Sequence, residues 1–367
     1  MQHTPKGLEG VVVASTKISK IDGQAGKLIY RGYDITELAG KISFEDVAHL
    51  LWIGHLPNPQ ELDAFKKKLA ENRYVSNKVM AFIGGAPKDA NPLTVLRTAV
   101  SIMGMQAKED VSPLEASIAL TEQFPTIVAM FHNARRGRSV VLPRGDLGHA
   151  ANYLYMLSGF VPKVKHARAL DAYLTLLADH GLNASTFSAR VATSTLTDVY
   201  SAVIAAVCTL KGPLHGGAPS HVWEMLQSVG DPIRAAPWLA ERLKKGEKIM
   251  GFGHRVYRTE DPRSKVLKAL AKENAEPRTF ALAESVENEA LRLLHEEHPE
   301  RPLDTNVEFY SSLVLNAVGI SPDLFTPTFA SARVVGWTAH IMEQLSDNRI
   351  IRPSAEYVGP EGLTLPT

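Results

Sequence analysis

One short segment of the chain, MGFGHRVYRTEDPR from residue 250 to 263, concentrates groups that could bind a small polyanion. His254 follows Gly251 and Gly253, which lack side chains and so permit backbone conformations and close approaches that other residues block. The basic residues of the segment are Arg255, Arg258 and Arg263. They place fixed positive charge beside a group that titrates near neutral pH. A solvated basic turn would explain the arginines but not the glycines, so the segment predicts a ligand site.

Two further histidines stand at predicted helix ends. His215, in KGPLHGGAPSHVWEML, precedes a helix predicted from Ser220 to Val229, with Pro219 in its first turn. The positive end of the helix dipole disfavours imidazolium, and a neutral imidazole can donate to a carbonyl that gains negative charge. A histidine that merely fills a turn is the alternative. His180, in ADHGLNAST, sits at a helix C-terminus, where the dipole favours protonation and a cationic donor to an anion, or else a simple cap.

A carboxylate and two arginines complete the set of candidate residues. Glu308 lies between Val307 and Phe309, an apolar setting that raises a carboxyl pKa and makes the group usable as a base. Half-buried carboxylates are common, so this signal is weak on its own. Arg333 falls in the apolar stretch FASARVVGW, where a buried arginine needs an anionic partner, and Arg352 follows in RIIRPSA.

The elements around these residues are predicted to be helices, separated by Gly and Pro. Helix starts are predicted at the capping pattern of Ser43 and Asp46, at Ser112-Pro113 with Glu115, and at Thr326-Pro327. Helix ends are predicted at Gly54, Gly137 and Gly181, with a kink or break at Pro125. An apolar stripe predicts a further helix from Phe280 to Leu294. Strand signals are limited to Gly10–Ala14 and Lys27–Tyr30, near a hairpin-like Ile21-Asp22-Gly23.

Composition excludes several classes of function. The 367 residues carry 40 basic and 39 acidic side chains, so no basic field exists to hold a nucleic acid. No stretch of about 18 apolar residues predicts a membrane span. The single cysteine, Cys208, lies in an apolar run and is predicted to be buried, and a disulfide framework is excluded. The histidines lack zinc-site spacing and the Gly-x-Gly lacks a dinucleotide fingerprint, so we expect no metal, no cofactor and a cytoplasmic protein.

Taken together, the motifs resemble the citrate synthase family in order and approximate spacing. They are LHGGA, GFGHRVY with DPR, NVEFYS, FTPTFASARVVGW and NRIIRPSAEYVG, and the resemblance runs from GLEGVVV near residue 7 to the C-terminus. It implies an all-α homodimer with a cleft between a large helical domain, residues 1–215 and 319–367, and a smaller one, residues 216–318. The small residues from Asn183 to Val207 fit a tightly packed interior or a subunit interface.

The resemblance also implies roles for the candidate residues. His215 would polarise the thioester carbonyl of acetyl-CoA, Glu308 would remove a proton from its methyl group, and His254 would protonate the carbonyl oxygen of oxaloacetate. The carboxylates of oxaloacetate would be held by His180, Arg263, Arg333 and, from the partner subunit, Arg352. Coenzyme A would contact Arg258, Gly251, Phe252, Gly253 and Asn306. The products would be citrate and coenzyme A, the entry step of the tricarboxylic acid cycle.

Two positions depart from the family pattern. Glu308 stands where aspartate is usual, and its extra methylene moves the oxygens by on the order of 1 Å, which can cost about a hundredfold in rate unless the site re-adjusts. Ala218-Pro219-Ser220 replaces the common Ala-Asn-Glu. Two other functions stay open at this point. One is 2-methylcitrate synthase, since one methyl of propionyl-CoA is worth only about 1–3 kcal/mol of discrimination. The other is a non-catalytic protein that binds oxaloacetate or acyl-CoA.

Overall fold

Nearly all regular structure in the chain is helical. The structure, a computed structural model, describes residues 6–216, 218–254, 256–299 and 303–365. Its α-helices in chain order are α1 (Ile35–Leu38), α2 (Phe44–Ile53), α3 (Pro59–Glu71), α4 (Asn77–Gly85), α5 (Pro92–Gln106), α6 (Pro113–Arg135), α7 (His149–Ser158), α8 (Val164–Leu177), α9 (Ala184–Ser194), α10 (Val199–Leu210), α11 (Ala218–Val229), α12 (Ala235–Lys244), α13 (Pro262–Asn274), α14 (Pro277–Glu297), α15 (Val307–Ala317) and α16 (Phe325–Ser346). The predicted all-α fold is confirmed.

The minor β-structure lies near the N-terminus, as predicted. An antiparallel sheet joins β1 (Ser19–Asp22), β2 (Lys27–Tyr30) and β3 (Tyr33–Asp34). The prediction of a strand over Lys27–Tyr30 is confirmed, and its partner strand ends at Asp22, inside the predicted hairpin. The strand predicted at Gly10–Ala14 is wrong, because that segment pairs with no strand in the described chain and Val12 is 89% exposed.

The helix starts follow from local capping. The side chain of Ser43 accepts from the backbone N–H of Asp46, whose carboxylate accepts from the backbone N–H of Ser43 at 3.0 Å. Ser112 and Glu115 form the same capping box ahead of α6. These reciprocal bonds satisfy backbone donors that the first turn of a helix leaves free. The boundaries read from Ser43, Ser112, the Phe280 stripe and Thr326-Pro327 are therefore confirmed to within a few residues.

The expected break at Pro125 is wrong. Helix α6 continues through this proline to Arg135, and Gly137 follows with a φ of +67°, as the predicted stop requires. Every residue from Phe124 to Asn133 is buried, and α6 packs against α16, α7 and α5. This burial outweighs the one backbone hydrogen bond that proline removes.

Helix α8 ends earlier than predicted, and the loop that follows carries a candidate site residue. The helix stops at Leu177 with Ala178 as its C-cap, so Gly181 is not the cap. Gly181 instead takes a φ of +55°, and its backbone N–H donates to a carboxylate oxygen of Asp179 at 2.9 Å. The short turn thus holds His180 against the interior.

The last long helix, α16, runs through the centre of the molecule. Its residues from Ala330 to Ile341 are all buried, and the helix packs against α6, α9, α8, α2 and α10. Helix α9 packs closely on α10 and α16, in line with the small residues of this region. Cys208, predicted to be buried, is exposed on α10. Its thiol lies 3.8 Å from Nη1 of Arg97 on α5, whereas the preceding Ala206 and Val207 are buried.

The helices between α10 and α16 pack mainly on one another. Helix α15 contacts α13 and α11, and α12 contacts α14. Helices α13 and α15 also touch α8, which brings their N-termini near the loop after α8. No helix in the described ranges is long and apolar enough to cross a membrane.

Candidate active site

The glycines before His254 shape the loop as the sequence predicts. Gly251 and Gly253 have φ values of +90° and +76°, and a Cβ on Gly251 would lie 2.8 Å from the ring of Phe309. The backbone N–H of Gly253 donates to the carbonyl of Asp304 at 2.8 Å. This pairing ties the loop to the segment that leads into α15, so His254 is placed next to the start of that helix.

His254 is a neutral donor in this loop. Its Nδ1 accepts from the backbone N–H groups of Val256 and Tyr257 at 2.9 and 3.0 Å, so the ring proton is on Nε2. Burial, with the positive charge of Arg263, lowers the pKa of His254 to about 4. The imidazole therefore presents an Nε2–H donor at neutral pH.

His180 lies against His254, but its charge differs from the prediction. The two rings meet edge to face with centroids 5.4 Å apart, and His180 Nε2 lies 3.2 Å from the hydroxyl of Tyr257. Burial, together with the positive charge of Arg263, holds the pKa of His180 well below 6.5. The expectation that His180 is a protonated donor is therefore wrong for the unliganded site. The helix dipole acts weakly compared with burial among cations.

The two arginines predicted to bind an anion, Arg263 and Arg333, are both buried. Arg263 forms a bidentate ion pair with Asp261, at 2.9 Å from Nε and 2.7 Å from Nη2. Burial opposes its charge, but the carboxylate of Asp261 outweighs that effect and raises the pKa of Arg263. Arg333 donates from Nε to the carbonyl of Leu177 at 2.7 Å and lies over the ring of Phe329.

Arg333 has no carboxylate in direct contact among the described residues. Burial lowers its pKa to about 10, with only partial relief from the charge of Asp179. The charges of both Arg263 and Arg333 help to lower the pKa of His180, so the three side chains lie in one region of the interior. A buried guanidinium needs an anionic partner, so the burial of Arg333 fits the sequence-based prediction that this group binds a carboxylate.

Glu308 stands at the first turn of α15, and Asn306 caps that helix. The side-chain Oδ1 of Asn306 accepts from the backbone N–H of Glu308 at 3.0 Å, and its Nδ2 donates to the carbonyl of Gly253 at 3.0 Å. Burial raises the pKa of the Glu308 carboxyl to about 7, although the charge of Arg263 opposes the shift. The predicted apolar environment of this carboxyl is confirmed.

His215 is held by a residue that sequence reasoning missed. Its Nε2 lies 2.8 Å from the hydroxyl of Ser185, which also accepts from the indole N–H of Trp337 at 3.1 Å. Burial lowers the pKa of His215 to about 4, with a further contribution from Arg333. The imidazole is neutral as predicted, but burial, rather than the dipole of α11, is the main cause.

One pocket brings His215 and Glu308 together. Its apolar wall is built by Leu177, Leu210, Pro219, Val307 and Phe329. Its polar groups are those of Tyr173, His215, Glu308, Ser311 and Thr326. A histidine that can donate and a carboxyl that can accept a proton thus face the same apolar space, an arrangement suited to removing a proton beside a carbonyl group.

The remaining predicted residues lie outside this cluster. Arg258 is exposed, and its backbone N–H donates to the carbonyl of Gly23 at 2.9 Å. Arg352 is exposed in the segment after α16. Phe252 packs on Phe309 with ring centroids 5.2 Å apart. Arg255 of the basic segment and Gly217 of the His-Gly-Gly turn lie outside the described residues.

Sequence reasoning also missed Asp261, Tyr257 and Asp179. Asp261 precedes Pro262 as the N-cap of α13, a pattern that could have identified it, and it also fixes Arg263. Asp179 accepts from the backbone N–H of Gly181 and so shapes the His180 turn. The contact of Tyr257 with His180 joins residues 77 positions apart, and no local pattern indicates it.

One group of side chains in the described chain has the composition of a metal site. Ring nitrogens of His49 and His55 and a carboxylate oxygen of Glu61 lie within 4.8 Å of one another. None of the three lines the pocket of His215 and Glu308. The expectation that the active site needs no metal stays a prediction.

Comparisons with known proteins relate the chain to one family. The family model described as "Citrate synthase, C-terminal domain" matches residues 7–354. The chain is 44% identical to the citrate synthase of Haloferax volcanii, over 98% of this chain and 96% of that protein. It is 40% identical to the 2-methylcitrate synthase of Mycobacterium tuberculosis, over 98% and 92%.

A solved structure extends the likeness to the whole fold. The ternary complex of carboxymethyl coenzyme A and oxaloacetate with citrate synthase from Thermoplasma acidophilum superposes with a TM-score of 0.91 at 29% identity. The match covers 98% of this chain and 97% of that one.

Proposed function

The chain belongs to the citrate synthase family, and we propose that the residues around Glu308 and His215 condense acetyl-CoA with oxaloacetate and water, giving citrate and coenzyme A. The protein is an acyltransferase of that family. The observation that carries the proposal is the shared pocket, in which a carboxyl with a pKa of about 7 faces a neutral histidine.

The first chemical step is proton removal from the acetyl methyl group. Glu308 takes this proton, and the electron pair of the C–H bond moves into an enolate whose oxygen is the thioester oxygen. His215 donates a hydrogen bond to that oxygen as it gains charge. Both groups are needed together because a thioester methyl is a weak acid, and a low-dielectric pocket strengthens both interactions.

The second step joins the two substrates. The enolate carbon attacks the ketone carbon of oxaloacetate, and the ketone oxygen accepts the Nε2–H of His254 as it takes up negative charge. Arg263, Arg333 and His180 hold the carboxylates of oxaloacetate, which fixes the ketone beside His254. Water then cleaves the thioester, which releases the thiol of coenzyme A and leaves citrate.

The substrate complex of the Thermoplasma relative supports this assignment, since that protein binds oxaloacetate and a coenzyme A derivative. We extend the proposal to the quaternary structure. The chain works as a homodimer in which Arg352 reaches the partner's oxaloacetate site, and residues 216–318 close over residues 1–215 and 319–367. Arg258, Phe252 and the backbone of Gly251 and Gly253 contact coenzyme A.

The use of propionyl-CoA as preferred substrate is not favoured. Relatives named citrate synthase reach 44% identity, whereas those named 2-methylcitrate synthase reach 40%. A purely binding role is not favoured either, because the chain has both the acid–base pair of Glu308 and His215 and the buried cations Arg263 and Arg333.

The proposal is tested by release of free thiol from acyl-CoA in the presence of oxaloacetate. We expect turnover with acetyl-CoA and at least tenfold lower kcat/KM with propionyl-CoA, since one methyl group is worth about 1–3 kcal/mol. Product analysis must identify citrate. Absence of thiol release by folded protein that still binds oxaloacetate would overturn the proposal, and a preference for propionyl-CoA would redirect it.

A further inference from the structure

The pocket contains a buried hydroxyl that has no hydrogen-bond partner. Tyr173, on α8, is fully buried and lines the pocket beside His215 and Glu308. No donor or acceptor among the described residues lies within hydrogen-bond distance of its hydroxyl. Burying a hydroxyl without a partner destabilises a fold, and such groups are rare in native proteins. We therefore expect this hydroxyl to gain a hydrogen-bond partner when substrates fill the pocket.

Other buried tyrosines of the chain do not share this feature. The hydroxyl of Tyr153 lies 3.0 Å from that of Thr328, and the hydroxyl of Tyr30 donates to the carbonyl of Asp179 at 2.6 Å. Burial on a helix thus does not by itself leave a tyrosine unpartnered here. The hydroxyls of Thr121 and Thr175 are also buried without a partner among the described residues, but neither lines the pocket, so the position of Tyr173 in the pocket wall distinguishes it.

The pocket also contains a carboxylate without a donor. The backbone N–H of Glu308 is bonded to Asn306, but its side chain forms no hydrogen bond or ion pair with the described residues. Of the other hydroxyls that line the pocket, that of Ser311 already donates to the carbonyl of Val307 at 2.6 Å. Burial, with the negative charge of Glu308 among the further contributions, raises the pKa of Tyr173, so the phenol keeps its proton. A donor and an acceptor that complement each other thus face one space.

We propose that Tyr173 is a positioning residue for Glu308, donating a hydrogen bond from its hydroxyl to the Glu308 carboxylate once substrates occupy the pocket. The inference rests on the proposed function, in which Glu308 is the base. A glutamate has one more rotatable bond than the aspartate usual in the family, so a fixed donor would select one orientation of its carboxylate. The same bond favours the ionised form and makes the base available at a lower pH.

The test is the pH dependence of kcat with acetyl-CoA and oxaloacetate for the wild type and Y173F. The loss of a hydrogen bond to a charged group changes an equilibrium or rate constant by about tenfold. We therefore expect kcat to fall about tenfold and the rising limb of the profile to move up by roughly one pH unit. KM for oxaloacetate should change less than about twofold, because Tyr173 does not hold that substrate. The ligand-free thermal stability of Y173F should equal or exceed that of the wild type, since the variant loses an unsatisfied group.

Tyr153 offers a matched control on a neighbouring helix. Y153F removes a hydroxyl that is already bonded to Thr328, so we expect a lower thermal stability and an unmoved pH limb. The variant E308D supplies the second control. E308D shortens and displaces the carboxylate, so if the hydroxyl acts through Glu308 the two substitutions should not be additive, and Y173F should move the limb of E308D by less than about a third of a unit.

Three results would overturn the inference. They are an unmoved limb in Y173F, an equal Y173F effect in the E308D background, and a marked loss of ligand-free stability in Y173F. The last would mean that the hydroxyl already has a partner. The proposed function fails separately, because its failure would appear as absent thiol release by the wild type.

Discussion

The hydroxyl oxygen of Ser185 lies 2.8 Å from Nε2 of His215, so the direction of the Ser185 proton sets the tautomer of the imidazole. The indole N–H of Trp337 donates to the same oxygen, so the hydroxyl proton is free to point at His215 or at Oδ1 of Asn183, 2.8 Å away. When it points at His215, Nε2 is the acceptor and the proton of the neutral imidazole sits on Nδ1. Ser185 thereby prepares His215 as a donor.

We therefore expect S185A to lower kcat with acetyl-CoA by about ten- to a hundredfold, since the tautomer is no longer selected. KM for oxaloacetate should be nearly unchanged. The variant also leaves the buried N–H of Trp337 without an acceptor, which costs about 1–3 kcal/mol of stability. Thiol-release kinetics and thermal unfolding measure the two effects. Ser188, which bonds to the carbonyl of Ala184 on the same helix, gives the control S188A, whose kcat should match the wild type.

The raised pKa of Glu308 predicts how the activity depends on pH. A carboxyl with a pKa near 7 in the free protein is protonated below neutral pH and cannot accept a proton, so kcat/KM for acetyl-CoA should rise with pH and level off above about 8. E308Q should lose about 10²–10⁴ in kcat at all pH values. A residual rate within tenfold of the wild type would exclude Glu308 as the base.

The Glu308 carboxyl lowers the stability of the fold as pH rises, whereas its activity as a base increases. Its folded pKa lies above the unfolded value of 4.5, so its contribution is fully present below pH 4.5 and is lost as pH rises through about 7. E308Q should thus be more stable than the wild type at pH 8, by on the order of 1–3 kcal/mol, and nearly equal to it at pH 4.5. Denaturant unfolding at the two pH values measures the difference.

The burial of Arg333 predicts that its replacement removes oxaloacetate binding without lowering the stability of the ligand-free protein. The guanidinium is buried with no carboxylate in contact among the described residues, so R333M should leave the ligand-free protein as stable as the wild type or more stable. Oxaloacetate at 100 times its Kd should stabilise the wild type by about 2.7 kcal/mol, and this gain should disappear in R333M.

Arg190 is the matched control for that experiment. It is also buried, but its Nη1 lies 2.7 Å from the carboxylate of Glu343. R190M should lose a few kcal/mol of stability, because it leaves Glu343 without its partner, and should keep the stabilisation by oxaloacetate. Equal behaviour of the two variants would contradict an anion-binding role specific to Arg333.

The sequence predicts best those features that depend on neighbouring residues. The capping box of Ser43 and the left-handed glycine before His254 are fixed by local hydrogen bonds and sterics, and both appear where the pattern places them. The raised pKa of Glu308 was predictable for the same reason, since its immediate neighbours Val307 and Phe309 are buried. Features that depend only on adjacent residues can be predicted because those residues stay together in the folded chain.

Features set by distant residues were missed or misjudged. The pKa of His180 is lowered first by burial and then by the charges of Arg263 and Arg333, which lie far from it in sequence, and these effects oppose the local helix dipole. The contact of Ser185 with His215 joins α9 to the loop before α11. Continuation of α6 through Pro125 depends on packing against α16. In each case the deciding partner belongs to another element, which periodicity and capping do not reveal.

Asn306 links the two catalytic segments, and its two bonds can be separated by mutation. Its Oδ1 caps α15 at the backbone N–H of Glu308, while its Nδ2 holds the carbonyl of Gly253, next to His254. N306A loses both bonds and should lose about 1 kcal/mol of stability from the cap. N306S keeps a capping hydroxyl but is too short to bridge, so its stability should stay near the wild type.

If the bridge sets the distance between the base and His254, both variants should lose about tenfold or more in kcat, since small displacements of catalytic groups are costly. Thermal unfolding and thiol-release kinetics on the same preparations separate these effects. Wild-type kcat in N306S would show that the bridge to Gly253 has no part in aligning the site.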